Sequence, residues 1–216
     1  MNEKFRLGAS GTIGTLILPG EPLIRISKRL GRTVQLTIDT CDRIIEGIKN
    51  KTLDLGLIES PIFDDDLVYR EWMEDELVVC SNMPLESTLD TDTLSRCKLL
   101  CRNTYSPTRI FINDFFEEIG FSYDTFYALT EIDNASAAIQ GLKWAKPDQE
   151  HPTVAIVSQL AIESELQKKM LYQARIEDRP MMRKFYLIYD RNEASLKAYT
   201  EDIIRYLQAW KESEKT

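Results

Sequence analysis

Apolar and polar residues alternate at the start of the chain, Phe5 and Leu7 against Lys4 and Arg6, and this predicts a β-strand. Residues 8–14 then interrupt the alternation with glycines and hydroxylic side chains. Ile13, Leu16, Ile17, Leu23 and Ile26 follow at helical spacing and predict one helix running on past Pro19 and Pro22. Residues 33–39 alternate again as a second strand. Residues 42–50 are helical in period behind a Thr40 or Asp42 cap, and residues 53–58 suit a third, more deeply buried strand. This β-α-β-α-β order predicts a parallel sheet with right-handed crossovers. Ligands of such sheets meet the carboxyl ends of the strands where strand order reverses. Residues 8–14, 39–41 and 59–61 all fall on that rim.

The same grammar returns further on. An acidic loop at 64–66 leads to a strand at 76–80 and a turn at 81–84. Beyond it come a strand at 98–101, a polar turn at 102–108 with Pro107 suited to the first helical position, and an amphipathic helix from Ile110 to Ile119. A strand at 125–129, a helix from an Asn134 cap to Trp144, a polar loop at 146–152, a strand at 154–157 and a helix from Ser158 to about residue 165 complete the series. The chain returns through 171–177 and 183–189 and ends in a helix over 195–211. The pattern predicts an α/β protein of two lobes, residues 1–78 with 180–216 and residues 79–179, with hinges near 77–81 and 175–182.

Composition narrows the function classes. The 216 residues carry 27 Lys and Arg against 35 Asp and Glu, and 27 − 35 gives a net charge of −8, which excludes nucleic acid held across much of this surface. The basic run at 25–32 reads as a solvated helix end. No apolar run approaches the ~20 residues of a membrane span, and residues 1–20 lack the charged-then-apolar pattern of an export signal. Cys41, Cys80, Cys97 and Cys101 then read as free thiols of a cytoplasmic protein. Cys97 and Cys101 are four apart, but no histidine or second cysteine pair completes a zinc set, so neither metal nor cofactor is expected. The one histidine, His151, lies in a proline-flanked polar loop.

Chemistry concentrates at the strand-to-helix turns. Ser10 and Thr12 can cap a helix or offer hydroxyls to an anion at its N-terminus, where unpaired N–H groups and the dipole favour negative charge. The run Gly8-Ala9-Ser10-Gly11-Thr12-Ile13-Gly14 before Leu18-Pro19, together with Leu53-Asp54-Leu55-Gly56-Leu57-Ile58-Glu59, resembles the effector-binding domain of LysR-type transcriptional regulators. Residues 102–109 fall where that family has a polar turn, and the resemblance runs from about residue 4 to 210, more specific in its first third. The family's small-residue turn after the Asn134 helix is replaced by residues 143–152, a departure that would reshape one wall of the site.

The resemblance implies two Rossmann-like lobes around a central cleft, of the type-2 periplasmic-binding-protein kind. It implies a cytoplasmic sensor of a small effector, not an enzyme, passing the signal to an N-terminal winged helix-turn-helix that this chain does not include. It implies a homodimer, tetrameric at full length, touching DNA only through that other domain. The expected ligand-binding set is Ser10, Thr12 and Ile13 from the first lobe and Tyr105, Ser106, Thr108, Asn134 and Ser158 from the second.

Other readings fit parts of the chain. A dinucleotide-binding domain would use the glycine turn and Asp39, but the spacing is Gly-x-x-Gly-x-x-Gly. A solute-binding protein for uptake shares the fold but needs an export signal. A hydrolase fails because Gly8-Ala9-Ser10-Gly11 is not G-x-S-x-G. A peroxide sensor would need a reactive cysteine beside positive charge, such as Cys101 next to Arg102. Plain helix capping alone would also account for Ser10, Thr12 and Ser106.

Overall fold

The computed structural model describes residues 4–193, 196 and 199–206. Two compact units emerge, Met1–Glu74 with Lys184–Thr216, and Asp75–Arg183. In the first, β1 (Phe5–Ala9) lies between β2 (Val34–Ile38) and β3 (Leu55–Ile58), parallel to both, with Leu7 opposite Leu36 on one side and Leu55 on the other. The final strand of the chain, β10 (Met181–Asp190), runs antiparallel against β3, pairing Leu187 with Leu57. Helix α2 (Cys41–Lys49), capped by Thr40, presses Ile44, Ile45 and Ile48 onto Leu53, Ile58 and Ile188.

The single helix expected over Ile13–Ile26 is two pieces. A wide turn, Ile13–Ile17, is closed by Leu18 N–H donating to the Ile13 carbonyl five residues back, 2.9 Å away. Helix α1 (Glu21–Leu30) starts only after Pro19 and Gly20. Pro19 has no N–H to continue the ladder, and Gly20 at φ +92° redirects the chain. Such wide π-type turns are rare and concentrate at functional sites.

In the second unit, β6 (Lys98–Cys101) is flanked by parallel β7 (Ala128–Glu131) and β8 (Thr153–Ser158). Strand β4 (Leu67–Ser81) runs antiparallel to β8, Leu77 facing Ser158, and antiparallel to β9 (Tyr172–Ile176), on which the two-residue β5 (Thr88–Leu89) adds in parallel. Helices α3 (Thr91–Ser95), α4 (Pro107–Glu118), α5 (Ala135–Trp144) and α6 (Glu163–Gln167) complete it. Pro107 opens α4 as expected; Gly120 at φ +68° ends it, with Phe121 N–H reaching back to the Phe116 carbonyl.

Three expectations shift here. The strand read at 76–80 is a fifteen-residue strand that already begins at Leu67. The strand read at 125–129 starts at Ala128, because Tyr123–Thr125 winds into a tight 3-10 turn. That turn delivers Tyr123 and Phe126 to the Phe116 ring, with centroids 5.0 and 5.9 Å away, and burial of two aromatics outweighs strand propensity. The helix read from Ser158 is a 3-10 turn, Leu160–Ile162, followed by α6. The last helix is described only at Leu196 and 199–206, which are helical; the remainder of the 195–211 expectation lies outside the described residues.

Gly56 of β3 shows how tightly the first unit is packed. A Cβ there would stand 2.6 Å from Ile44 Cγ2 and 2.7 Å from Ile188 Cγ1, atoms on stiff β-branched side chains. Gly56→Ala is expected to destabilise the protein by about 1–3 kcal/mol in urea unfolding. Gly11→Ala, at a helical position with open space around it, should be neutral or slightly stabilising in the same assay, by at most about 1 kcal/mol. Equal effects at both sites would contradict the packing.

Candidate functional site

Strand order reverses within each unit, between β1 and β3 in the first and between β6 and β8 in the second. Ser10 directly follows β1. Its N–H still donates to the Leu57 carbonyl of β3 at 2.9 Å, so it sits at the reversal itself. Its Oγ is buried, the residue being 2% exposed, and has no hydrogen-bond partner. A buried hydroxyl left unpaired costs about 1–3 kcal/mol, so its presence calls for an explanation. Thr12 is buried at the mouth of the wide turn and makes no cap bond. Ile13 is fully buried and packs in the interior. Gly14 lets this turn approach β2, since a Cβ would stand 2.8 Å from Ile38 Cγ1.

In the second unit Ser106 is the residue before α4, 4% exposed; its Oγ also has no partner and does not cap. The first-turn N–H groups of this twelve-residue helix are therefore left without a side-chain acceptor. Thr108 is buried one residue inside α4, and its Oγ1 accepts from Arg183 Nη1 at 3.2 Å. Ser158, at the end of β8, donates to Asp75 Oδ1 at 2.7 Å and accepts from Ala161 N–H at 3.3 Å. Asp75 Oδ2 in turn accepts from Arg183 Nε at 2.8 Å. Thr108 and Ser158 are thus joined through one buried ion pair. Asn134 is exposed and its Oδ1 accepts from Ala137 N–H at 2.8 Å, so it works as the cap of α5. Tyr105 is 90% exposed.

Asp75 and Arg183 escape a reading by charge runs, because both sit in strings of charged residues, 74–76 and 183–184. Their phase gives them away. Asp75 alternates with the buried Met73 and Leu77, and Arg183 with the buried Met181 and Phe185, so each places a charge on the inward side of its strand. Arg109, also in the first turn of α4, is buried as well. Its guanidinium lies over the Tyr123 ring, 3.4 Å from the centroid, and donates to the Arg102 carbonyl at 2.9 Å, with no carboxylate partner among the described residues.

The sequence profile of the LysR substrate binding domain matches residues 1–211. The chain belongs to the LysR substrate-binding-domain family. Its relatives include the HTH-type transcriptional regulator YeiE of Escherichia coli (strain K12), 23% identical over 196 residues, which cover 89% of this chain and 64% of YeiE. A probable RuBisCO transcriptional regulator of Cyanophora paradoxa is 27% identical over 209 residues, 92% of this chain and 62% of that protein. The chain thus spans somewhat under two thirds of these relatives' length. Among solved structures, the effector-binding domain of QuiR in complex with shikimate superposes with TM-score 0.72 at 18% identity, covering 97% of this chain and 99% of that one. The Synechocystis PCC6803 CcmR regulatory domain in complex with 2-PG gives TM-score 0.75 at 19% identity, covering 94% and 97%. These likenesses give this LysR domain the two-lobed periplasmic-binding-protein-like fold. The family is regulatory, which decides against the dinucleotide-enzyme, hydrolase and uptake readings.

The thiols of this LysR domain are all buried. Burial pushes Cys41 and Cys97 up to about 11 and Cys80 up to about 12, and it raises Cys101 despite the Arg109 guanidinium nearby. A thiol held protonated is a poor nucleophile, which weighs against peroxide sensing at Cys101. Among the described residues no group of three or more His, Cys, Asp or Glu side chains is placed to hold a metal, and no helix is long and apolar enough to cross a membrane. His151 stacks on Tyr127 with centroids 3.6 Å apart, its Nδ1 3.0 Å from the Arg96 carbonyl, a packed loop residue. Near pH 8 the native protein is expected to react with DTNB at least about ten times more slowly than the guanidinium-unfolded chain, which should release four equivalents. One fast native thiol would reopen the redox reading.

Proposed function

We propose that this LysR domain senses a small anionic effector, with Ser10 and Thr12 in the first unit and Ser106 and Thr108 in the second as candidate hydroxyl donors. The observation that carries this reading is that Ser10 and Ser106, buried residues following β1 and β6, each keep a hydroxyl without a partner; Ser136 Oγ of α5 is also without one, but its residue is only half-buried and lies inside the helix. A ligand that accepts from Ser10 and Ser106 would repay the cost of leaving them unpaired. The start of α4 supports an anion over a cation. Its N-terminus offers uncapped N–H groups, Ser106 adds an O–H, and the buried Arg109 of the same turn lacks an acid. Each charge-assisted bond gained contributes roughly 1.5–3 kcal/mol. Shikimate and 2-PG are the ligands of the two neighbours.

An effector that binds one arrangement of the chain better than others shifts the protein toward it, and that differential affinity is what a regulator can transmit. The whole protein would act in the cytoplasm and reach DNA through a domain outside these residues, as the HTH-type relative's name suggests for that protein. A homodimer, which the family resemblance implies, belongs to the same proposal. Phe115 is used by its own core, and Phe111 and Ile119 pack against it. Ile24 and Ile110 remain as the half-exposed apolar residues of α1 and α4.

A thermal-shift screen with shikimate, sulfate and small carboxylates, followed by calorimetry on the best binder, tests the reading. Thr12→Val and Ser106→Ala should each weaken binding about 10-fold or more. The ligand-free Ser106→Ala protein should melt no lower than wild type, because the substitution deletes an unpaired buried hydroxyl. If Ser106→Ala instead binds normally and loses about 0.5–2 kcal/mol, the hydroxyl is a helix cap and the site lies elsewhere.

A further inference from the structure

Asp75 and Arg183 are the first and last residues of the second unit, on the strands by which the chain enters and leaves it. Both side chains are almost wholly buried, 0% and 5% exposed, and Arg183 Nη2 also lies 2.8 Å from Asp75 Oδ2. A buried ion pair of this kind is seldom more stabilising than apolar residues of the same volume. What it does provide is fixed hydrogen-bond polarity. The guanidinium can only donate and the carboxylate can only accept.

That polarity sorts the two hydroxyls at its ends. Thr108 Oγ1 receives a proton from Arg183 Nη1, so its own O–H proton is free to point to another acceptor. Ser158 Oγ spends its proton on Asp75 Oδ1 and accepts from Ala161 N–H, so it has no proton left to donate. Thr108 lies two residues from the partnerless Ser106 hydroxyl, in the uncapped first turn of α4. We propose that Asp75 and Arg183 are positioning residues that set Thr108 as a hydroxyl donor to the effector and withhold Ser158 from it. The inference rests on the effector reading of the α4 turn and deepens it. The ligand group taken at this turn is a pure acceptor, a carboxylate, sulfate or phosphate oxygen. An ammonium or amide N–H offers the Thr108 proton no acceptor and would stand beside the uncapped N–H groups and the Arg109 guanidinium of the same turn.

Sulfate, which has acceptors only, is the probe, followed through the backbone amide NMR shifts of Thr108 and Arg109. Thr108→Val should weaken sulfate binding at least tenfold, Thr108→Ser should restore it, and Ser158→Ala should change it less than threefold. The double variant Asp75→Leu/Arg183→Met leaves no buried charge unpaired and should stay folded while also losing sulfate at least tenfold. In parallel, amide hydrogen exchange at Ala161, whose N–H is held by Ser158, should speed at least tenfold in the double variant, with exchange in the body of α4 at Phe116 unchanged. Should the double variant fail to fold, Arg183→Lys, which keeps the charge but loses the planar fork that serves Asp75 through Nε and Thr108 through Nη1, is read by the same two measurements. Unchanged sulfate affinity in the folded double variant or in Arg183→Lys overturns the proposal, as does a Ser158→Ala loss as large as that of Thr108→Val. If sulfate perturbs neither Thr108 nor Arg109 in wild type, the effector reading of the turn fails first. The exchange at Ala161 then decides by itself whether the pair positions these groups, and an unchanged rate overturns that too.

Discussion

A charge removed from water needs compensation, and Asp75 and Arg183, the most deeply buried charges among the described residues, find it in each other. The two residues stand 108 positions apart and open and close the second unit. Breaking such a pair from one side leaves the other charge stranded, so the entry of β4 and the exit of β10 are held in one relation to each other. The bond to Thr108 extends that relation to the start of α4, and the bond to Ser158 extends it to the end of β8. Four segments that are remote in sequence thereby share one polar anchor beside an apolar core in which Leu77, Val154, Phe116 and Met181 pack together.

The first unit is governed by closeness rather than by charge. Gly8, Gly14 and Gly56 each occupy a place where a Cβ would meet a neighbour at under 3.0 Å. These contacts let α2 and the wide turn lie directly on β1, β2 and β3. The consequence reaches the candidate site. With the turn after β1 drawn against the sheet, Ser10 is taken out of solvent before its hydroxyl has a partner. Ser106 reaches the same condition by another route, because Pro107 begins α4 and the Ser106 side chain does not turn back to cap it. Two unrelated local geometries thus yield the same chemical feature, a dry and unsatisfied donor at the point where strand order reverses.

Much of this was written in local pattern. The alternation at Phe5 and Leu7, the helical period at Ile44, Ile45 and Ile48, and the buried run of β3 gave the order of the first sheet without reference to anything distant, since period-2 and period-3.6 burial are properties of a single segment. Thr40, Pro107 and Asn134 announced their helices correctly because capping and N1 preferences act within one turn. The hydroxyl-bearing turns after β1 and β6 were legible for the same reason.

What the tertiary structure alone decided is what depends on partners far along the chain. It split the helix at Pro19 and Gly20 into a wide turn and α1, and it moved β7 so that Tyr123 and Phe126 could reach Phe116. It also assigned the candidate hydroxyls their separate states, which one segment's sequence cannot encode. Asn134 is spent on a cap, Ser158 on Asp75, Thr108 is turned by Arg183, and Ser10 and Ser106 are left without partners. A side chain's type sets what bonds it can make, but burial and the neighbour brought by folding determine which bond it does make. The inward phase of Asp75 and Arg183 was visible in each strand; that they answer one another became visible only once β4 and β10 lay side by side.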